Sequence, residues 1–157
     1  MTPGKIRVLE ADPDLGRGLG EAERRCAETL SWTTTRILAP GPWSPDLHPE
    51  ATCAGALGLL VLDGLLTRQV AVGGRHSAEL LGSGDLLRPW ELDTAYGAAV
   101  RADASWEVRE LTSLAILDRG FAKRMSAWPE VTGELMGRAV GRSRAFAIRV
   151  CICQIPN

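Results

Sequence analysis

The stretch Leu57-Gly-Leu-Leu-Val-Leu-Asp-Gly-Leu-Leu-Thr-Arg-Gln-Val-Ala-Val-Gly-Gly-Arg-His-Ser-Ala-Glu-Leu-Leu-Gly-Ser-Gly-Asp85 decides the fold. It opens on the strongest apolar run in the chain, Leu57 to Leu62. Asp63-Gly64 follows as a turn or bulge signal, because glycine supplies the positive φ that such a reversal needs. Leu65 to Val72 continues as strand, Gly73-Gly74 reverses it, and Ser77 to Leu81 reads as the next strand. Gly82-Ser-Gly-Asp85 is then a tight turn before Leu86-Leu87. Short strands separated by glycine turns at near-regular intervals predict a barrel, roll or jelly roll.

The flanks add helices at both ends. Asp12-Pro-Asp-Leu15 starts like a helix, with Asp as cap and Pro at the first helical position. The charged segment to Leu30 continues as a surface helix that Gly16, Gly18 and Gly20 weaken at its start. Trp32 to Leu38, with its threonine run, favours a strand that Pro40-Gly-Pro42 ends; residues 43 to 55 read as a loop. Downstream, Ala98 to Ala102, Trp106 to Leu111 and Ser113 to Leu117 read as strands. Asp118 caps a short helix over Arg119 to Ala127, and Pro129 opens a longer one through Val131, Leu135, Met136, Val140, Phe146 and Val150. The predicted class is mainly β with flanking helices. Residues 1–128 form a β-roll with an N-terminal helix, and residues 129–154 form a long helix.

The 157 residues allow one compact domain and an appendage. With 18 Lys and Arg against 19 Asp and Glu there is no basic field to collect nucleic-acid phosphates, so the chain is a poor DNA binder by itself. No apolar run is long enough to cross a bilayer and Met1-Thr-Pro-Gly-Lys does not open a signal peptide, so no membrane association and a cytoplasmic location are expected. Cys26, Cys53, Cys151 and Cys153 are sparse and scattered, which reads as free buried thiols in a reducing compartment.

These residues resemble the effector domain of Crp/Fnr-type bacterial transcription regulators, in the cyclic-nucleotide-binding-like superfamily. Four features carry the resemblance in order, over roughly residues 10 to 153: the Val61-Leu-Asp-Gly64 turn, the Leu81-Gly-Ser-Gly-Asp85 turn, the last strand over Val108 to Asp118, and Trp128-Pro-Glu-Val131 at the entry to the long helix. The resemblance implies a jelly roll, or double-stranded β-helix, that closes around a small-molecule effector. It implies a homodimer through the long helix, with Val131, Leu135, Met136, Val140, Phe146 and Val150 as its apolar positions. It also implies a winged helix-turn-helix domain, the part that would contact DNA, which is absent from a chain that stops at Ile155-Pro-Asn157.

Nucleotide binders of that family place Gly-Glu after the Gly-Asp turn and, further on, Arg with Ser or Thr for the cyclic phosphate. Here Arg88-Pro89 and Tyr96-Gly97 stand in those places, so both handles are missing. Glu91 and Arg101 are near, but a shift of several residues changes reach and face, and each reads as an ordinary surface charge. Trp90 and Tyr96 could line a pocket for another apolar or aromatic ligand, or could fill it. The candidate effector pocket is therefore Arg88, Trp90, Glu91, Tyr96, Gly97 and Arg101, for an effector other than a cyclic nucleotide, or for none.

Other chemistry is thin. The cysteine spacing does not suit an iron–sulfur cluster. His48 and His76 are too few for the metal of a cupin-like roll or metalloenzyme, the alternative of a different class. No cofactor is expected and the chain does not read as an enzyme. Gly133, Gly137 and Gly141, continued by Ala145, form one ridge of the long helix. Each glycine costs about 1 kcal/mol there, so a close backbone, from the roll or from a partner helix, would compensate it; the alternative is chance spacing in a chain with 17 glycines.

Overall fold

The computed structural model describes residues 4–72, 75–88 and 103–152. Among the described residues, nine strands form two antiparallel sheets. The first has the order β1-β2-β9-β4-β7 and the second β3-β8-β5-β6, where β1 is Gly4–Arg7, β2 Trp32–Leu38, β3 Gly41–Trp43, β4 Gly58–Asp63, β5 Leu66–Val72, β6 Arg75–Leu81, β7 Leu86–Leu87, β8 Asp103–Val108 and β9 Thr112–Leu117. The helices are α1 Val8–Ala11, α2 Glu21–Leu30, α3 Pro49–Thr52, α4 Arg119–Met125 and α5 Pro129–Ile152.

The decisive stretch gives strands where they were read, with the third starting at Arg75 and not at Ser77, while Gly73-Gly74 lies outside the described residues. β4 ends in an irregularity between Val61 and Asp63, and Gly64 turns the chain at a φ of 96°. A side chain there would meet backbone, since an added Cβ would lie 2.5 Å from the Leu111 carbonyl oxygen. Gly84 closes the second turn at a φ of 84°.

The unbroken apolar character of β4 and β9 follows from burial on both faces. Leu59, Val61, Leu114 and Ile116 point between the sheets, where they meet Leu66, Leu81, Trp106 and Val108 of the second sheet. Leu60, Ala115 and Leu117 point the other way, onto Val8, Leu9, Leu15, Phe121, Met125, Val131 and Leu135. The second sheet has one buried face, hence the alternation in β5, where Leu66 and Val70 are buried and Gln69 is exposed.

Several expectations need correction. Asp12 caps no backbone N–H with its side chain; residues Pro13–Gly16 make a single 3-10 turn and the helix proper begins at Glu21. The three glycines there leave too little helical support for continuity. β2 does end at Leu38, ahead of Pro40-Gly-Pro42, but Gly41 at a φ of 134° then starts the edge strand β3. The strand predicted over Trp106 to Leu111 is instead Asp103–Val108, and α4 stops at Met125. Asp118 caps α4 as expected, its carboxylate accepting from the Phe121 N–H at 2.7 Å. Cys26 and Cys53 are exposed free thiols, not buried ones. The strand expected over Ala98 to Ala102 lies outside the described residues.

Candidate functional site

Of the six pocket residues expected from the sequence, only Arg88 falls within the described residues. Trp90, Glu91, Tyr96, Gly97 and Arg101 lie outside them. Arg88 follows β7 and turns toward α5, its guanidinium donating to Met136 Sδ at 3.3 Å.

The second sheet holds a group of residues that the sequence did not single out. Antiparallel register places Trp43 opposite Trp106, Trp106 opposite Arg68, and Arg68 opposite Glu79. Directly opposed residues project from the same face. The four side chains thus form one row across all four strands, on the inner face that also carries Leu66, Leu81 and Val108. Successive contacts are short. The Trp43 and Trp106 rings meet edge to face with centroids 5.9 Å apart, the Arg68 guanidinium lies 5.5 Å from the Trp106 centroid, and Arg68 pairs with Glu79 at 2.7 Å.

Glu79 is only 3% exposed, and a lone buried carboxylate is costly. Two guanidiniums answer it. Besides Arg68, Arg142 of α5 donates from Nε to Glu79 Oε1 at 2.8 Å. The same guanidinium pairs with Asp85 and donates to the Leu80 carbonyl, so it occupies part of the outer edge of β6. One turn earlier, Arg138 grips Asp12 with two hydrogen bonds of 2.5 and 3.0 Å and donates to the Gly84 carbonyl at 3.1 Å. The hydrogen-bonded Asp12 carboxylate raises the Arg138 pKa further. A cleft of about 560 Å³ lies between helix and sheet edge, with Glu79, Asp85, Arg138, Arg142 and Asp12 in its wall.

At the far end of the row stands His48, buried, its ring 5.9 Å from that of Trp43. Burial holds its pKa below 6.5, with Glu50 opposing and Arg36 adding to the shift. The imidazole is therefore neutral at neutral pH. Its Nε2 and the Trp43 Nε1 are buried without a hydrogen-bond partner. Among the described residues no group of three His, Cys, Asp or Glu could hold a metal ion, and no helix is long and apolar enough to cross a membrane.

The long helix divides into two faces. Val131 and Leu135 are fully buried and Ala139 is 9% exposed, all in the cluster beneath the first sheet. Val131 and Leu135, expected on the dimer face, thus belong to the chain's own core, and Met136 packs at its margin. Val140 is 67% exposed, whereas the side chains of Phe146 and Val150 lie outside those described. Among the described residues, nothing stands within 4 Å of a Cβ added to Gly133, Gly137 or Gly141, so no described part of the roll meets the glycine ridge.

No protein-family model matches the chain, and no curated protein matches it. Solved structures do. The Thermus thermophilus Catabolite Activator Protein superposes with a TM-score of 0.53 at 24% identity, over 88% of this chain and 62% of that one. A CooA mutant from Carboxydothermus hydrogenoformans superposes with a TM-score of 0.56 at 13% identity, over 94% of this chain and 89% of that one. This chain spans less than two thirds of the first of these. Two antiparallel sheets rolled against each other, a helix pair after the last strand and this likeness together give the chain the cyclic-nucleotide-binding-like fold.

Proposed function

We propose that the chain is the sensory and dimerisation domain of a Crp/Fnr-type transcription regulator, acting in the cytoplasm without catalysis. It relays an effector signal to a DNA-binding domain outside this chain. The observation that carries the reading is the split of α5 into a seated face and a bare one. Val131, Leu135, Arg138, Ala139 and Arg142 fix the helix to the roll, while Gly133, Gly137, Val140 and Gly141 present an open surface. Three glycines in a solvated helix would each cost about 1 kcal/mol with no return. A second copy of the helix, approaching closely along that ridge, supplies the compensation.

The effector is a small molecule other than a cyclic nucleotide, held by Arg88 with Trp90, Glu91, Tyr96, Gly97 and Arg101. The support is chemical: the positions of the ribose and phosphate handles carry Arg88-Pro89 and Tyr96-Gly97. The signal is a population shift, in which an effector that prefers one seating of α5 changes the pairing of the two helices. Sedimentation should show a dimer at micromolar concentration, and Gly137→Leu should return it to a folded monomer. A wild-type chain that is strictly monomeric overturns the dimer. Calorimetric titration with cyclic AMP and cyclic GMP should give no saturable heat, and saturable micromolar binding overturns the effector assignment.

A further inference from the structure

We infer that Glu79 is the joint through which the inner face of the roll and the long helix sense each other. The inference rests on the reading of the chain as a sensory domain and names how that domain is wired. Glu79 is held by side chains from both bodies: Arg68 from β5 at 2.7 Å and Arg142 from α5 at 2.8 Å. Each guanidinium uses a different carboxylate oxygen, Oε2 for Arg68 and Oε1 for Arg142.

That geometry couples the two ends. A carboxylate held from two sides cannot follow one arginine without shortening or stretching its bond to the other. Because Glu79 itself is only 3% exposed, such a change is felt more strongly than it would be at a solvated surface pair. On the sheet side, Arg68 lies over Trp106, and Trp106 packs on Trp43. Any ligand or movement that shifts the Trp106 ring therefore moves Arg68, and through Glu79 the seat of Arg142. On the helix side, Arg142 also holds Asp85 and the Leu80 carbonyl, so its displacement unfastens α5 from the sheet edge at three points together. Packed cores and paired charges favour discrete arrangements over graded ones. The row thus favours two seatings of the helix, gripped and released, and the state of the aromatic end biases the choice between them.

The test uses the full chain labelled with 5-fluorotryptophan, with the Trp106 fluorine line assigned by Trp106→Phe. Arg142→Gln should move the Trp106 line by more than its width, although the helix residue is separated from that ring by two further side chains of the row. Arg142→Lys, which keeps the charge but loses the planar fork, should move it the same way by less. Glu130→Gln, exposed in the first turn of the same helix and outside both the row and the dimer face, should leave it in place. In the Glu79→Gln chain, Arg142→Gln should produce no further movement. A Trp106 line that ignores both Arg142 variants overturns the inference, as does one that Glu130→Gln moves equally or that shifts additively with Glu79→Gln. The lines of Trp32 and Trp128, remote from the row, report whether each variant is folded. No effector or DNA enters the measurement. A monomeric chain that shows the coupling would overturn the proposed dimer and leave the joint standing, and a dimer without the coupling would do the reverse.

Discussion

Replacing Leu135 by alanine separates a helix seated on its own roll from one whose apolar positions serve a partner. Leu135 is fully buried, in one cluster with Val8, Leu9, Leu15, Phe121, Met125 and Val131. Truncation removes buried methyl groups and leaves a hole that the neighbours close only partly. Leu→Ala changes of this kind cost about 2.7–5.0 kcal/mol, more where the site cannot collapse. Here Arg138 and Arg142 fix the next turns of α5 to Asp12 and Glu79, so the helix cannot simply slide inward. We therefore expect the middle of that range, about 3–4 kcal/mol. For a chain of this size that lowers Tm by about 6–16 °C. Thermal and urea unfolding followed by far-ultraviolet circular dichroism measures it. The loss should be the same at low and high protein concentration, because the contacts are within one chain, whereas a lost dimer contact would make Tm concentration-dependent. A loss below about 1 kcal/mol, or one that shrinks as concentration rises, would refute the assignment of Leu135 to the intramolecular core.

Gly64→Ala combines a positive φ of 96° with contacts at 2.5 Å to the Leu111 carbonyl and the Thr112 hydroxyl; it should cost roughly 2–4 kcal/mol in urea unfolding, and a neutral result would mean the turn is not held as described. Asp118→Ala removes the cap of α4 and should cost about 1 kcal/mol by the same assay. For His48 the sign follows from burial, which lowers its pKa from 6.5: the folded chain takes up the proton less readily than the unfolded one. Its contribution is complete above pH 6.5 and is lost as the pH falls below that value. The Tm advantage of the wild type over His48→Gln should accordingly shrink on acidification from about pH 7 to pH 5, and a difference that does not change with pH would contradict a neutral buried imidazole.

Much of the roll was legible because glycine placement and apolar periodicity are local signals. Gly64 and Gly84 mark turns that require their backbone freedom, and the unbroken Leu57 to Leu62 run announces a strand buried on both faces. The N-terminal strand Gly4–Arg7 was missed, since a short edge strand with alternating charge carries no apolar pattern. The row of charges was missed for a different reason. Arg68 lies two residues from both Leu66 and Val70, and Glu79 two from Leu81, so both fall on the buried face by strict alternation. That signal was present in the sequence. What it lacked was the partner, because Arg142 lies 63 residues beyond Glu79 in sequence and nothing local links them. The dimer positions misled for a related reason: helical spacing groups Val131 with Leu135 on one stripe but does not say which body that stripe meets.

The two sheets treat charge differently, and the long helix explains why. The first sheet is apolar on both sides in β4 and β9, with helices on one face and the second sheet on the other. The second sheet has a solvated outer face, yet it places Arg68 and Glu79 inward beside Trp106. Burying that pair would be unfavourable if Arg68 were the only cation, because desolvating two charges can exceed their attraction. Arg142 changes the balance by adding a second charge-assisted bond to the same carboxylate and by occupying the exposed edge of β6 at Leu80. Val131 and Leu135 of the same helix meanwhile complete the apolar cluster under the first sheet. The helix is thus required by both cores at once, apolar on one flank and ionic on the other. Residues on both sides of the proline that opens α5 pack in one apolar cluster. A change in the Arg68–Glu79 pair is accordingly expected to change how Arg142 holds α5.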